Sequence, residues 1–161
     1  MQAYQTADCL KRVVPVFQAS VRRLCVKPYP GHPKGCPNFG KRTSCPPEAP
    51  LLPGVFKLSA PVYCVWNAFD LARHVERMLA RHPDWSQRQL RCCLYWQNTA
   101  RKALRGKVKS VLEDLPDYEG LYCPEAYGVN VTATMADIGI ELEWPPIQLA
   151  YQVALVGKPV G

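Results

Sequence analysis

The segment from Pro28 to Pro53 constrains this chain more than any other part of its sequence. It contains eight of the sixteen prolines, together with Gly31, Gly35 and Gly40. Proline removes backbone N–H donors and glycine permits dihedral angles that other residues avoid, so neither a helix nor a central strand is expected here. An irregular stretch of about 25 residues is uncommon inside a compact domain unless it has a function. The sequence therefore predicts a long functional loop.

Cysteines are concentrated at this loop. Cys25 lies at its start, Cys36 and Cys45 lie within it, and Cys123 comes much later in the chain. The last three are each followed by proline, a pattern found at iron–sulfur ligands. The proline turns the chain away from a cluster and leaves no N–H unpaired in an apolar pocket. We therefore predict that these four cysteines bind a 4Fe-4S iron–sulfur cluster, which would order the loop.

Zinc and disulfide bonds are the competing explanations for the eight cysteines. Zinc ligands are usually paired at C-x2–4-C spacing, whereas ten residues separate Cys25 from Cys36 and eight separate Cys36 from Cys45. His32 could add a ligand between them. Disulfides are typical of secreted chains, but residues 1–17 show no signal-peptide pattern. Zinc remains the alternative cofactor, and a cluster on three cysteines with one open iron is the alternative ligand set.

Length and charge limit the kind of protein further. The 161 residues, 48% of them hydrophobic, fit one domain over 1–161. No apolar run approaches the roughly 20 residues of a membrane span, so we expect a cytoplasmic protein with no membrane partner. Residues 1–113 carry 19 Lys and Arg against 6 Asp and Glu, whereas residues 114–161 carry 1 against 7. This asymmetry favours either an anionic partner or contact between the two parts of the chain.

Hydrophobic periodicity predicts a domain of mixed secondary structure. The signals for helix starts are Asn67 as an N-cap and the capping box of Ser86 and Gln89. The expected elements are a strand over 60–66, helices over about 68–81 and 86–112, and a strand over 148–156. This order predicts an α/β or α+β fold. We expect a small sandwich of a few strands and two or three helices, with the metal-binding loop over 25–53 and a C-terminal motif over 120–156.

The helix predicted over 86–112 has an apolar face and a basic face. At about 100° per residue, Cys93 and Leu94 join the apolar face. Basic side chains and one aromatic ring follow the other face, as contact with phosphates and stacking on bases would require. The candidates for binding an anionic small molecule or a nucleic acid are Lys41, Arg42, Arg88, Arg91, Tyr95, Asn98, Lys102 and Arg105. An ordinary solvated helix face is the competing interpretation.

Two motifs suggest a family. The run CPNFGKRTSCPP at 36–47 resembles the C-x-x-Y-G-K-x-W-x-C-P-P segment of predicted metal-binding proteins that form a domain family of unknown function. The run EAYGVNV at 125–131 is similar to that family's E-A-Y-G-I-D/N-V motif. Thr43 replaces the aromatic residue of the first motif. The resemblance implies a bound metal centre and no particular reaction.

Three functions follow as hypotheses. The first is a cluster-dependent enzyme acting on an anionic substrate, such as a nucleotide or nucleic acid. The second is a cluster-bearing electron-transfer or binding module without catalysis, and the third is a zinc-stabilised nucleic-acid-binding protein. The sequence contains no Ser/His/Asp arrangement, phosphate-binding glycine motif or carboxylate pair that would specify another class of enzyme. The sequence specifies neither an enzymatic reaction nor a protein partner.

Overall fold

A four-stranded antiparallel sheet is the centre of the fold. The computed structural model describes residues 8–29 and 32–161, so Pro30 and Gly31 of the predicted loop lie outside the described residues. The strands are β1 (Leu10–Val13), β2 (Val62–Asp70), β3 (Glu119–Tyr122) and β4 (Leu149–Gly157), in the order β1–β2–β4–β3. The protein is therefore a small α+β domain, which is one of the two predicted fold classes.

Helices connect the strands and cover the sheet. The α-helices are α1 (Leu71–Arg81), α2 (Gln87–Leu90), α3 (Gln97–Asp114) and α4 (Val131–Ala136). Short 3-10 helices cover Ala19–Val26, Leu52–Gly54, Cys93–Tyr95 and Pro124–Tyr127. In the described part of the chain, no helix combines the length and apolar character needed to cross a membrane.

Successive side chains of β2 point to opposite faces of the sheet, and each face is covered by its own cluster of buried apolar residues. Val65 points to the face covered by α3, where it packs with Leu104 and Val108. Cys64 and Trp66 point to the opposite face, which is filled by apolar side chains from outside α3. Cys64 is completely buried, and burial raises the pKa of its thiol to about 12. Cys64 is therefore a core residue.

The first predicted helix begins later than expected. Residues 68–70 belong to β2, where they pair with β4, so α1 starts at Leu71 rather than at residue 68. Asp70 is the N-cap, and its Oδ1 accepts a hydrogen bond from the Arg73 amide at 2.9 Å. Asn67, the predicted cap, instead donates from Nδ2 to Gln152 Oε1 across the sheet at 2.8 Å.

The second predicted helix is interrupted. The capping box of Ser86 and Gln89 is present, but α2 ends at Leu90, and α3 starts at Gln97 after a 3-10 turn. The interruption coincides with Trp96, whose ring stacks on Phe69 with centroids 5.0 Å apart and whose Nε1 donates to the Arg91 carbonyl at 3.2 Å. We attribute the break to burial of this large ring, because tertiary packing routinely overrides helix propensity.

The interruption also corrects the predicted apolar face. Cys93 and Leu94 were expected on the core side of a continuous helix. Both are exposed, Leu94 to 82%. Within α3 the prediction holds, since Ala100, Leu104, Val108 and Val111 are buried.

A buried histidine on α1 should make stability depend on pH. His74 is buried and its Nε2 has no hydrogen-bond partner in the described structure. Burial lowers the pKa of His74, and nearby Arg77 adds to the effect, while a backbone hydrogen bond with Leu90 opposes it. Because the unfolded chain then binds the proton more readily, stability is full above pH about 6.5 and falls as the pH drops below that value.

Chemical denaturation at pH 7 and pH 5 measures this loss of stability. His74→Asn keeps a donor for the Leu90 carbonyl but cannot be protonated, so its stability should change less between the two pH values than that of the unmodified chain. Equal pH dependence in both proteins would show that another group is responsible.

Candidate metal centre

The cysteine-containing loop has little regular structure. Over residues 27–29 and 32–51 the chain forms turns, bends and one isolated bridge between Tyr29 and His32, with no helix or strand assigned. Its order comes from individual hydrogen bonds. The Cys36 amide donates to the Cys25 carbonyl at 2.7 Å, and the Gly40 amide donates to the Pro46 carbonyl at 2.8 Å. The first of these bonds joins two of the predicted ligands directly.

Backbone hydrogen bonds hold the Cys25 region against the Cys123 region. The Gln18 amide donates to the Gly128 carbonyl at 2.7 Å, and the Asn130 amide donates to the Val16 carbonyl at 2.8 Å. The Val16 amide donates to Thr134 Oγ1 at 3.0 Å. These bonds place the 3-10 helix Ala19–Val26 beside the 3-10 helix Pro124–Tyr127, and so bring together cysteines that are far apart in sequence.

Arg22 attaches the Cys45 turn to the same place. Its Nη2 donates to the Pro47 carbonyl at 3.0 Å and to the Ala49 carbonyl at 2.9 Å. The Ala49 amide in turn donates to the Cys45 carbonyl at 2.9 Å. One guanidinium on the Ala19–Val26 helix thus fixes the turn that carries Cys45.

Cys36 and Cys45 act electrostatically on both of the other predicted ligands, Cys25 and Cys123. Burial raises the pKa of Cys25, and the neighbouring Cys36 and Cys45 thiolates raise it further. Burial also raises the pKa of Cys123, with further contributions from Glu125, Cys45 and Cys36. Cys123 is exposed, whereas the other three cysteines are half-buried. Hydrogen bonds thus hold the segments that carry Cys25, Cys36, Cys45 and Cys123 in one neighbourhood, and all eight cysteines are free thiols.

The four cysteines supply the thiols that a metal centre needs, but their side chains are not arranged around a single metal ion. Thiolates suit zinc and iron–sulfur clusters. In the described ranges, however, no three His, Cys, Asp or Glu side chains are close enough together to hold a metal ion. Metal binding at these cysteines would therefore require their side chains, or the loop that carries them, to move together.

Two charged residues at this neighbourhood were not among the predicted site residues. Burial raises the pKa of the Glu125 carboxyl. This carboxyl in turn raises the pKa of the Cys25 and Cys123 thiols. Burial and Glu125 raise the pKa of the Cys123 thiol, whereas Arg101, on α3, lowers it. Glu125 could have been found, because it follows Cys123-Pro124 directly. Arg101 had no local signal, since its role depends on where α3 packs.

The predicted phosphate-binding residues lie on three separate segments. Lys41 and Arg42 are exposed on the loop, while Asn98, Lys102 and Arg105 are exposed on α3. The residues Arg88, Arg91 and Tyr95 lie on the separate segment before α3. Within that segment, Arg91 Nε donates to Gln87 Oε1 at 3.3 Å, and the Tyr95 ring lies 5.3 Å from the Trp85 ring.

One of these basic residues does lie near the Cys123 region. Burial raises the pKa of Tyr122, and Arg105 opposes this effect. Arg105 and Arg101 are one turn apart on α3, so this side of the helix faces the end of β3. Arg101 and Arg105 of α3 thus act on two neighbouring residues at the end of β3, Cys123 and Tyr122.

Fold and site together define a small α+β domain with a cysteine-rich candidate metal centre. Comparison with known proteins finds no match among protein-family models, curated proteins or solved structures. The family resemblance of the two motifs therefore stays a prediction.

Proposed function

We propose that the protein binds a 4Fe-4S cluster through Cys25, Cys36, Cys45 and Cys123. The observation that carries this proposal is that hydrogen bonds hold the segments of these four cysteines beside one another. There the thiolates of Cys36 and Cys45 would repel those of Cys25 and Cys123. A cationic iron centre would remove that repulsion, because a bound metal favours deprotonated thiols. Metal binding would then release protons and stabilise the loop.

The backbone around the ligands supports the same proposal. Cys123 adopts a left-handed conformation with φ of 52°, which costs about 1–2 kcal/mol in a non-glycine residue. Strain of this kind is concentrated at functional sites. Pro124 follows Cys123 and is buried, as is Pro46 after Cys45. These prolines leave no N–H to be desolvated beside the proposed ligands.

Nearby cations fit a site with excess negative charge. A cluster held by four thiolates carries net negative charge, and guanidinium groups that already act on these thiols would compensate it. Burial and the neighbouring thiolates raise the pKa of Cys25, and Arg22 opposes them; Arg101 has the corresponding effect at Cys123. When bound, the cluster would supply electron transfer or, with an open iron, Lewis acidity. Zinc on the same thiols is the alternative cofactor.

Thiol labelling tests the proposal residue by residue. Anaerobically purified native protein is treated with N-ethylmaleimide, with and without prior removal of metal by a chelator, and the modified cysteines are identified by mass spectrometry. We expect Cys25, Cys36, Cys45 and Cys123 to be protected together and to become reactive together after chelation, because cluster ligands are not free thiolates.

Two cysteines serve as internal controls in the same labelling experiment. Exposed Cys93 should react in both samples, and fully buried Cys64, with its raised pKa, in neither. Unchanged reactivity of Cys25, Cys36, Cys45 and Cys123 on chelation would contradict the proposal.

A further inference from the structure

A cavity of about 440 Å³ opens beside two of the proposed ligands. This volume lies within the usual range of small-molecule sites, roughly 300–1,000 Å³. Its wall is formed by Val21, Leu24, Cys25, Cys36, Glu125, Val129, Asn130, Val131, Thr132 and Trp144. Most of these side chains are apolar, so a ligand here would be held chiefly by burial of its own apolar surface.

Few polar groups in this wall are available to a ligand. Asn130 is occupied, because its Oδ1 accepts from the Ala133 amide at 3.0 Å and its Nδ2 donates to Gln18 Oε1 at 3.1 Å. Thr132 Oγ1 accepts a hydrogen bond from Trp144 Nε1 at 3.2 Å. The remaining polar groups are chiefly the two thiols and the carboxyl of Glu125.

Glu125 gives the cavity its charge preference. Among the described residues that line the cavity there is no lysine or arginine. Glu125 lines the cavity together with Cys25 and Cys36. An anionic group would meet this carboxyl without a compensating cation from the wall, whereas an amine or amide N–H could donate to it.

We propose that the cavity binds a small, largely apolar molecule whose amine or N–H group faces Glu125, next to Cys25 and Cys36. The inference deepens the proposed function, on which it rests for placing this molecule beside the cluster. It also changes the substrate class: the sequence suggested an anionic substrate, and this cavity favours a cationic or neutral donor.

A matched set of probes tests the proposal. Tryptamine, indole-3-acetamide and indole-3-acetate share one ring system and differ in the charge of the side chain. NMR titration of the intact protein should show tryptamine binding at least about tenfold more tightly than indole-3-acetate, with the amide between them. In Glu125→Gln the preference for the amine over the acid should disappear. Val21→Phe, which adds bulk to the wall, should weaken binding of all three probes.

Iron and sulfide are measured in every sample, so that the two proposals fail separately. An iron-loaded, folded protein that binds none of the probes, prefers the acid, or keeps its preference in Glu125→Gln overturns the ligand proposal. Tight tryptamine binding by a protein that never takes up iron would instead contradict the cluster and leave the cavity assignment standing.

Discussion

Replacing Cys45 by alanine is expected to abolish cluster binding. The methyl group cannot ligate iron, and Cys45 acts on the thiols of both Cys25 and Cys123, so its loss removes a ligand from the middle of the group. The loss of metal affinity should exceed the roughly 10–100-fold loss that follows removal of an outer-shell partner of a metal site. Cys25→Ala and Cys36→Ala should behave alike. Iron and acid-labile sulfide per chain, after identical anaerobic loading, are the quantities to measure.

Cys93→Ala is the matched control for these variants. It makes the same chemical change at an exposed cysteine outside the proposed ligand set, so its iron content should equal that of the unmodified chain. Cys123→Ala completes the series and should lose the cluster as Cys45→Ala does. If Cys123→Ala kept its full iron content while the other three lost theirs, the centre would have three cysteine ligands. Equal iron in Cys45→Ala and Cys93→Ala would contradict the proposed ligands altogether.

The second large effect is expected at Gly35, which is not itself a proposed ligand. Gly35 has φ of +85°, and a Cβ there would lie 2.6 Å from the Cys25 carbonyl oxygen and 2.8 Å from the Val26 carbonyl carbon. Both are backbone atoms, so no side chain can move aside. Alanine should therefore break the 2.7 Å hydrogen bond from the Cys36 amide to Cys25 and separate two ligands. We expect Gly35→Ala to lose most of its iron while its circular dichroism spectrum stays close to that of the unmodified protein.

Gly40 supplies a control with the same backbone requirement. Its φ is +70°, but nothing lies within 4 Å of a Cβ built on it. Gly40→Ala should pay the left-handed cost of about 1–2 kcal/mol without a steric clash, and should still load iron. If Gly35→Ala and Gly40→Ala load iron equally, the contact between Gly35 and Cys25 does not determine the geometry of the site.

Local sequence signals identified part of the fold. The capping box at Ser86 and the apolar face of α3 depend on neighbouring residues, and both appear as expected. The edge strand β1 was missed because its sequence, LKRV, places two charged residues between apolar ones. β3 was missed because it has only four residues, EGLY, and one of them is glycine, which is depleted in strands. A Cβ at Gly120 would in fact come within 2.8 Å of Val108 Cγ1, so this glycine allows close packing of β3 against α3.

In the candidate site, as in the fold, the features that depend on neighbouring residues could be predicted from the sequence. The cysteine–proline pairs are local patterns, so the sequence sufficed to select Cys36, Cys45 and Cys123. Their approach to Cys25 depends on the hydrogen bonds from residues 16–18 to 128–134 and on Arg22. Such long-range contacts between irregular segments leave no periodic pattern in a sequence. For the same reason the role of Arg101 became visible only with the packing of α3. The single helix predicted over 86–112 was wrong because α2 ends at Leu90 and α3 starts only at Gln97.

Metal and sulfide analysis of the anaerobically isolated protein tests the central claim most directly. Iron, zinc and acid-labile sulfide are measured per chain in one sample, before any reconstitution and again after anaerobic loading. A 4Fe-4S centre on the four thiols predicts about four iron atoms and about four sulfides per loaded chain, without zinc. One zinc per chain without sulfide, or no metal after loading of a folded protein, would contradict it.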